Sequence, residues 1–596
     1  MNSRDEDAGA TTATRLAVYL VQGGRRGTDT WRVPPHVFTA LRGLRPHMDR
    51  LVVGVRGSLI DTDRAQLARL ADSVMAGPRL THGGIVGSLG DAVAGYDQVV
   101  LTGSGWFGPV ADVGPILARM ANVPVWSLVP RATNRPVEPN ESVTVGLDPD
   151  WYVMPGSRAV SAELKRWRRT GKKLELNPSA IPGARYAFAP ADYASNDPAL
   201  MNLPQLIDHG LPFVPLRTFG VDPLIADRLA AIPADGFERL KTTGIDMAEV
   251  WAGLLDQVPL RVLSTNLGLV RMVGACPPVA ATTLRTAAIL HLYYDELTDD
   301  LMDRVDLLPG TVDVYVTTTD DTKKASIEAR LGERARQYTH EVRILASNRG
   351  RDISALLIGC ADVLADESYD MVVKLHGKRS TQDDVNASTW FRRHLFDNLL
   401  PNAPAVAELY EWFAADPQLG IVVPPVIHLY YPTMGHAWLG NRMLAEGLAD
   451  RLGLDVPFDD HPPVAPFGSM FVARREALEP WLSLHLTWDD FPDATDYVDG
   501  TLAHTVERMF CYVAAGTGRY TGTVLGPAMG GLEYGFLEYK LQAVGARLTA
   551  YAIDQVDYLD KRRQTLRGAL VKRFPGVADG LRPIYHAIRP PRRGSS

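Results

Sequence analysis

Several features that would identify common kinds of protein are missing from this sequence. Its three cysteines, Cys276, Cys360 and Cys511, lie far apart, so we expect neither a disulfide framework nor a cysteine metal cluster. Free cysteines favour a reducing cytoplasm. No apolar run approaches the roughly 20 residues of a membrane span. Residues 1–14 are polar and acidic, so we expect them to be disordered and not to act as a signal peptide.

The net charge of the chain and its lack of phosphate-binding motifs argue against further classes of protein. The formal net charge of −7 argues against a general nucleic-acid binder. The chain has no P-loop and no GxGxxG dinucleotide fingerprint, and a phosphotransferase would need such a loop together with metal-binding carboxylates. Local signatures of Ser-His-Asp or Cys-His catalysis are missing as well. Phosphoryl transfer, dinucleotide chemistry and covalent hydrolysis are therefore disfavoured.

The chain of 596 residues is long enough for roughly three domains of about 150 residues each. Alternating strand and helix patterns predict two α/β units, and their shared order of elements suggests an internal duplication. In the first unit the polar turn, near residues 79–84, lacks an acidic residue, so we expect this unit to be chemically poorer. The predicted domains are a disordered N-terminus (1–14), an N-terminal α/β unit (15–150), a mostly helical connector (151–275), a catalytic α/β domain (276–540) and a basic amphipathic tail (541–596).

The second unit contains two polar turns, each following a short apolar strand. Val342–Leu345 leads into the first turn, a helix is predicted over 353–364, and Met371–Val373 leads into the second turn. Two strands joined by a crossover helix are normally parallel, and ligands bind at the carboxyl ends of such strands. The candidate donor-binding residues in these turns are Asn348, Arg349, Gly350, Arg351, Asp352, Lys374, His376, Lys378, Arg379 and Ser380.

Clustered cations suit a diphosphate that is held but not transferred. Arg binds phosphate through a planar fork and Lys as a point charge. A downstream acid, Asp499, is then the candidate base that deprotonates an acceptor hydroxyl. Enzymes that transfer sugars from nucleotides often carry a DxD metal motif where this chain has Lys374-Leu375-His376-Gly377-Lys378. Cations there would repel a metal ion and could replace it, so a divalent ion (Mg²⁺ or Mn²⁺) is allowed but not expected to be essential.

These residue types also have purely structural interpretations. Asp352 could cap a helix or pair with Arg349, and Asp499 could cap the next predicted helix. Asn348 could only shape its turn. The alternatives for the two basic residues are a surface position for Lys374 and a hydrogen bond from His376 to a backbone carbonyl. Six further residues are candidates for the acceptor side or for support of the site: His291, Tyr294, Ser469, His504, Glu507 and Arg508.

Over about 286–530 these motifs occur in an order that resembles the rhamnan synthesis protein F family of polysaccharide-assembling glycosyltransferases. The motifs are His291–Tyr294, Asn348–Asp352, Tyr369–Ser380, Gly468–Phe471 and Asp499–Arg508. The resemblance implies two units similar to GT-A nucleotide-diphospho-sugar transferases. It also implies transfer of rhamnose or a related sugar, with dTDP-rhamnose the favoured donor, to a lipid-linked or growing cell-envelope polysaccharide.

The first unit is similar to the N-terminal region of that family through Tyr96–Leu101 and Ser104–Pro109. It departs from the family at Gly103–Gly105, where an acidic residue is usual. We therefore expect the first unit to be degenerate and to bind glycan or serve as a scaffold.

Two broader questions stay open from sequence. The tail from Lys561 is strongly basic, which is typical of a helix at an anionic membrane surface or of a solvated C-terminal helix. We expect the protein to be cytoplasmic and peripheral on the inner face of the plasma membrane. The alternative function is a non-catalytic glycan-binding or assembly subunit of a polysaccharide synthesis complex, which the missing DxD motif favours.

Overall fold

Two mixed α/β units make up the chain in the computed structural model, as the sequence predicts. One unit comprises residues 1–221 and 225–254, and the other comprises 222–224 and 255–596. The boundaries fall within two helices, at 223–228 and 247–257. The structure describes residues 13–22, 30–132, 145–147, 151–170, 182–193, 195–274, 282–336, 338–377, 385–460, 462–493, 499–548 and 552–573.

The first unit is built on a seven-stranded sheet. The strands of this unit, seven of which form the main sheet, are β1 (Arg15–Val21), β2 (Thr30–Trp31), β3 (Arg50–Val55), β4 (Ser58–Leu59), β5 (Ser73–Ala76), β6 (Gln98–Gly103), β7 (Trp106–Phe107), β8 (Trp126–Ser127), β9 (Pro130–Ala132), β10 (Val145–Leu147), β11 (Tyr152–Met154), β12 (Arg185–Tyr186) and β13 (Val214–Pro215). Its helices are α1 (Pro35–Leu44), α2 (Asp61–Leu70), α3 (His82–Leu89), α4 (Gly114–Arg119), α5 (Gly156–Ala159), α6 (Lys165–Thr170), α7 (Pro198–Met201), α8 (Leu203–Asp208), α9 (Pro223–Arg228), α10 (Pro233–Lys241) and α11 (Met247–Gln257).

The second unit is built on an eight-stranded sheet. Its strands are β14 (Val270–Met272), β15 (Thr286–His291), β16 (Val312–Thr318), β17 (Thr339–Ile344), β18 (Met371–His376), β19 (Leu419–Val423), β20 (Phe471–Arg474) and β21 (Tyr520–Leu525). Its helices are α12 (Leu260–Asn266), α13 (Thr298–Val305), α14 (Asp321–Gly332), α15 (Arg351–Ser354), α16 (Ala361–Ala365), α17 (Val385–Leu399), α18 (Ala403–Ala415), α19 (Arg442–Leu452), α20 (Leu502–Gly516), α21 (Pro527–Gly545) and α22 (Ala552–Arg573).

The two sheets share one topology. The order β12-β8-β11-β6-β1-β3-β5 in the first sheet corresponds to β21-β19-β20-β18-β15-β16-β17 in the second. In both, one antiparallel strand (β11 or β20) interrupts an otherwise parallel arrangement. The second sheet adds β14 beside β21. This correspondence supports the internal duplication expected from the order of elements.

Central strands of both sheets are buried along nearly their whole length. Every residue of β15 and of β18 is buried, and in β1 every residue except Arg15 is buried. Parallel strands covered by helices on both faces show this continuous pattern, because neither face meets water. In the first unit, Leu16, Val18 and Leu20 anchor a core that also includes Ile85 and Trp167.

Some predicted elements differ from the structure. The segment 151–275, predicted to be a mostly helical connector, contains α5 to α12 and also supplies β11 and β12 to the first sheet. The helix predicted over 353–364 is broken by a π-helical turn at Ala355–Gly359 between α15 and α16. The strand predicted at Met371–Val373 continues to His376, because Lys374 and His376 find buried partners. No described helix has the length and apolar character needed to cross a membrane.

Candidate functional site

A topological switch point lies at the carboxyl edge of the second sheet. From β15, the chain proceeds to β16 and β17 on one side and then crosses to β18 on the other. His291 and His376, the last residues of β15 and β18, lie opposite each other in register. Ligands of open α/β sheets bind in the crevice at such a point. The two predicted polar turns follow β17 and β18 at this same edge.

A buried ion pair joins the first of these turns to the end of β18. Lys374 is 2% exposed, and its Nζ lies 2.6 Å from Asp352 Oδ2. The same ammonium donates to Ser469 O at 2.7 Å and to Ser469 Oγ at 3.2 Å, and the Ser469 hydroxyl donates to Asp352 Oδ2. Burial alone would raise the pKa of Asp352. The charges of His376 and Lys374, with the hydrogen bonds from Lys374 and Ser469, instead hold that pKa well below its usual range.

This geometry corrects the expectation that Lys374 lies at the surface or meets a phosphate directly. An ammonium has three donors, and Asp352 and Ser469 take all of them. Asp352 pairs with Lys374. It neither pairs with Arg349 nor caps the helix, which were its two structural alternatives. We infer that the pair fixes the 348–352 turn against the end of β18, which is a positioning role.

The turn before β20 completes this group. Gly468 and Ser469 adopt φ values of 86° and 52°, and β20 begins after them at Phe471. A positive φ at a non-glycine residue costs about 1–3 kcal/mol and is often found at functional sites. At a φ of 86°, and with a Cβ that would lie 2.8 Å from Leu395 Cδ1, a side chain in place of Gly468 would be strained. His376 Nε2 donates to Gly468 O at 2.8 Å, which is the structural alternative considered for this residue.

The 348–352 turn is held from outside by an acidic segment. Arg349 Nε donates to Asp493 Oδ1 at 2.7 Å, and Arg349 Nη1 donates to Asp489 Oδ1 at 2.9 Å. Phe491 of the same segment covers Gly350, where an added Cβ would lie 2.6 Å from Phe491 Cδ1. The charge of Arg349 is therefore balanced within the protein. Arg351 is exposed beside it, with a φ of 52°.

Asn348 begins this turn, and its backbone oxygen accepts a hydrogen bond from Arg351 N at 3.1 Å. Its side-chain Oδ1 is buried and has no hydrogen-bond partner among the described residues. The sequence analysis missed the acidic partners of Arg349. Asp489 lies 140 residues away from Arg349, and no local pattern reveals such a pairing.

Asp499 lies near α20 without capping it, because the N-cap residue is Thr501. Its Oδ2 accepts from Gly440 N and its Oδ1 from Asn441 Nδ2, both at 2.9 Å. A carboxylate offers about four acceptor positions, so Asp499 can still accept a hydroxyl proton. Its side chain is 35% exposed, which leaves it accessible to a ligand.

Glu507 and Arg508 connect α20 to the turn before β20. Glu507 Oε2 accepts from Gly468 N at 3.1 Å, and Arg508 donates to Glu507 Oε1. Arg508 is buried, lies over the Phe467 ring at 4.5 Å and has Nη2 3.9 Å from Asp499 Oδ1. These two residues thus join the Asp499 region to the turn that holds the buried ion pair.

The remaining predicted residues are placed as follows. His291 Nδ1 donates to Thr317 Oγ1 at 3.0 Å, and burial lowers its pKa to about 4, so the ring is neutral near pH 7. Tyr294 follows β15 and its ring lies 5.0 Å from that of Tyr293. His504 Nδ1 lies 3.3 Å from Thr501 Oγ1. Lys378, Arg379 and Ser380 lie outside the described residues, and across the described ranges no cluster of three His, Cys, Asp or Glu side chains is arranged to hold a metal ion.

The first unit lacks the equivalent ion pair. Lys374 lies opposite Ile289 in the second sheet, and at the same place in the first sheet Leu101 lies opposite Val18. The antiparallel partner is Phe471 for Lys374 and Tyr152 for Leu101, which confirms the correspondence. An apolar residue at this position cannot hold a carboxylate in the neighbouring turn.

Comparison with known proteins gives one family. The family model described as "Rhamnan synthesis protein F" matches residues 187–518, more than half of the chain. The match begins earlier than the 286–530 region in which the motifs lie. Two strains of Xanthomonas campestris pv. campestris have a relative, "Uncharacterized protein WxcX", that is 34% identical over 251 residues, or 42% of this chain. The match spans about a third (34%) of the length of these relatives.

Among solved structures, two transferases are similar to parts of this chain. The mannosyltransferase PcManGT from Pyrobaculum calidifontis, in complex with GDP-Man and Mn²⁺, is 14% identical, covers 57% of this chain and 78% of its own, and has a TM-score of 0.24. Glucosyl-3-phosphoglycerate synthase from Mycobacterium tuberculosis, with Mn²⁺, UDP and glucosyl-3-phosphoglycerate, is 16% identical, covers 41% and 70%, and has a TM-score of 0.21. TM-scores this low assign no ligand to the site described above.

Proposed function

Because the chain belongs to the rhamnan synthesis protein F family, we propose that it is a glycosyltransferase of polysaccharide synthesis. Its C-terminal unit moves rhamnose or a related sugar from a nucleotide donor to a growing cell-envelope polysaccharide. The favoured donor is dTDP-rhamnose, and the acceptor is lipid-linked or polymeric. The N-terminal unit, without the buried ion pair, binds glycan or serves as a scaffold.

One observation carries this proposal: the Asp352–Lys374 pair fixes the 348–352 turn against the end of β18 at the switch point of a largely parallel sheet. A crevice at that edge is where a nucleotide binds in such folds. In our proposal the donor lies against the 348–352 turn and the segment after His376. Arg351 and the segment 378–380 meet the diphosphate, while Lys374 and His376 hold the framework.

Asp499 is the proposed base. It receives the proton of the acceptor hydroxyl as that oxygen attacks the anomeric carbon and the nucleotide diphosphate leaves. The hydrogen bonds from Gly440 and Asn441 keep this carboxylate in one orientation. Because Asp499 acts on the acceptor, its loss should affect transfer far more than donor binding.

The test combines donor binding with turnover. The full chain is titrated with a panel of nucleotide sugars, dTDP-rhamnose included, with and without chelator. Asp499→Asn should abolish transfer, by at least about 100-fold, and leave donor affinity within about threefold. Asp450→Asn, an exposed carboxylate of the same unit, is the matched control. Full transfer activity in Asp499→Asn would refute the assignment, and turnover abolished by chelator and restored by Mn²⁺ would refute the metal-independent chemistry.

A second candidate function is a non-catalytic glycan-binding or assembly subunit. The observation that favours it is the DxD position, which holds Lys374-Leu375-His376, with both basic side chains occupied inside the protein. Affinity for glycan without affinity for any nucleotide sugar would identify this function. Selective binding of one donor, lost on Arg351→Ala, would instead support the transferase.

We further propose that the enzyme works at the cytoplasmic face of the plasma membrane. The sequence from Lys561 onward is basic, and Lys561 and Arg562 on α22 are exposed. Basic segments of this kind are attracted to anionic lipids. Flotation with phosphatidylglycerol vesicles tests this location, and failure to float at low salt would contradict it.

A further inference from the structure

Helix α21 leaves most of its large apolar side chains in solvent. Its inward face includes Met529, which is buried, and Glu533, which accepts a hydrogen bond from His394. Lys540 on the same face donates to His428 O at 2.6 Å. The large apolar side chains that are exposed on this helix are those of Leu532, Tyr534, Phe536, Tyr539, Leu541 and Val544. Soluble proteins seldom expose apolar residues in such density, and a contiguous exposed patch marks an interaction surface.

Three of these side chains lie in one row along the helix. Leu532, Phe536 and Tyr539 are spaced by four and three residues, which places them on one side of α21. Tyr430 extends the row, because Leu429, the residue before it, lines one small cleft together with Phe536. Phe536, Tyr539 and Tyr430 are 48%, 76% and 61% exposed. We call Leu532, Phe536, Tyr539 and Tyr430 the apolar stripe.

The backbone at Tyr430 is strained. Its φ of 71° lies in the left-handed region, which is costly for a bulky side chain and is retained mainly at functional sites. The Tyr430 ring packs edge-on against Tyr431, with centroids 5.2 Å apart, and the Tyr431 ring lies 5.2 Å from that of Phe391. The protein thus holds an exposed aromatic ring in place at a conformational cost. Such a cost is expected where the ring contacts a partner.

The apolar stripe lies at the same edge of the second sheet as the switch point. β19 runs parallel to β21 and antiparallel to β20, and β20 runs antiparallel to β18. The carboxyl ends of β18, β19 and β21 therefore lie at one edge. The segment that ends at Tyr430 follows β19, and α21 follows β21. A partner that covers the stripe is therefore close to the edge at which sugar transfer is proposed.

The helix that follows α21 indicates the chemistry of this partner. α22 packs against the end of α21, since a Cβ on Gly545 would lie 3.8 Å from Gln555 Nε2. From Lys561 to Arg573, α22 has six Lys or Arg residues and no Asp or Glu. An apolar surface beside a basic segment matches a membrane surface, where acyl chains lie beneath anionic headgroups. Tyrosine is enriched at that boundary, because its ring is apolar and its hydroxyl is polar. A second copy of this chain would instead add another basic segment.

We propose that the apolar stripe inserts into the interfacial layer of an anionic membrane while the cations of α22 meet lipid phosphates. The inference rests on the proposed transferase and its membrane location, and it identifies the surface that makes the contact. Electrostatic attraction by the tail alone would hold the protein near the lipid in any orientation. Insertion of the stripe instead brings the carboxyl edge of the second sheet to the lipid, where a lipid-linked acceptor is anchored.

The test is flotation of the full chain with phosphatidylglycerol vesicles at low salt and at about 0.5 M NaCl, where a Debye length of about 4 Å screens the attraction of exposed cations. The wild type should stay bound at high salt, because insertion of apolar side chains persists there. Phe536→Ser and Tyr539→Ser should each weaken this salt-resistant binding by about fivefold, and the double variant by about tenfold or more. Tyr539→Trp should retain it. Tyr534→Ser is the matched control, since Tyr534 is 67% exposed but lies about 200° around the helix from Phe536. Donor binding should be the same in all variants.

The outcomes separate this inference from the proposed function. Release of the wild type at high salt, salt-resistant binding that the stripe variants leave unchanged, or an equal loss in Tyr534→Ser overturns the inserted stripe. In each case the membrane location proposed from the basic tail stands if the protein floats at low salt, and donor binding and turnover report on the transferase independently. Sedimentation equilibrium without vesicles tests the alternative occupant. A dimer that dissociates in Tyr539→Ser would assign the stripe to a second copy and overturn the inference. Tyr539 is the most exposed residue of the stripe, so its replacement leaves the packed core intact.

Discussion

The buried pair of Lys374 and Asp352 makes a strong prediction about stability. Lys374→Met keeps most of the volume of the side chain but removes its charge and its three hydrogen bonds. The Asp352 carboxyl, whose side chain is 11% exposed, would then be left without its cation. Breaking a buried ion pair by removing one partner costs about 3–5 kcal/mol, because the remaining charge is uncompensated.

The structure favours the lower end of that range. The Ser469 hydroxyl still donates to Asp352 in the variant, and the carboxyl can take up a proton as its pKa rises. We therefore expect Lys374→Met to lower the free energy of unfolding by about 3 kcal/mol at pH 7, which for a unit of this size lowers its melting temperature by roughly 5–10 °C. Combining Lys374→Met with Asp352→Asn removes both charges and should restore about half of the loss or more.

Differential scanning calorimetry of the full chain measures these changes in melting temperature and unfolding enthalpy. Lys324→Met is the matched control. Lys324 pairs with Glu328 at 3.6 Å on the surface of α14, and such exposed pairs contribute about 0.5 kcal/mol or less. A cost below about 1 kcal/mol for Lys374→Met, or a double variant no more stable than the single one, would refute the assignment of a tightly coupled buried pair.

Two further predictions follow from the pKa shifts. The pKa of Asp352 is depressed in the folded protein, so the stabilisation that this carboxylate provides is present above the unfolded pKa of about 3.9 and is lost as pH falls through the folded pKa. Below about pH 5 the free energy of unfolding of the wild type should therefore fall more steeply with pH than that of the Asp352→Asn/Lys374→Met double variant. Equal pH dependence of the two free energies in urea unfolding would contradict this. Burial raises the pKa of both Cys360 and Cys511 to about 12, so in a Cys276→Ser background both thiols should react with Ellman's reagent only on unfolding. Rapid labelling of the native protein at pH 8 would disprove their burial.

The strands of the second unit could be predicted from sequence because their signals are local. Runs such as Thr286–His291 are apolar and short, and crossover connections make them parallel. That reasoning also places the turns after β17 and β18 at one edge. The predicted end of the strand at Val373 is wrong, because β18 continues through Lys374 to His376. Lys374 lies between Val373 and Leu375, and a lysine inside such a run is buried only when it has an anionic partner.

The contacts that complete the site depend on residues far apart in sequence. Arg349 meets Asp489 and Asp493, and His394 meets Glu533, across separations of about 140 residues. Nothing in the local composition pairs one carboxylate with one particular cation among the many in the chain. Asp489, Asp493 and Glu533 therefore have no evident partner until the fold brings them to Arg349 and His394.

The charge balance of the site also changes the argument about metal dependence. Lys374 is neutralised by Asp352 and Arg349 by Asp489 and Asp493, so neither adds a free positive charge to the crevice. A nucleotide diphosphate brings at least two negative charges, which an enzyme must offset as the leaving group departs. We propose that Arg351 and the basic residues at 378–379 offset this charge if no metal ion takes part. Two measurements therefore address one question: the chelator sensitivity of the wild type and the effect of Arg351→Ala on donor affinity. Removal of the group that balances the diphosphate, whether a metal ion or an arginine, should weaken donor binding.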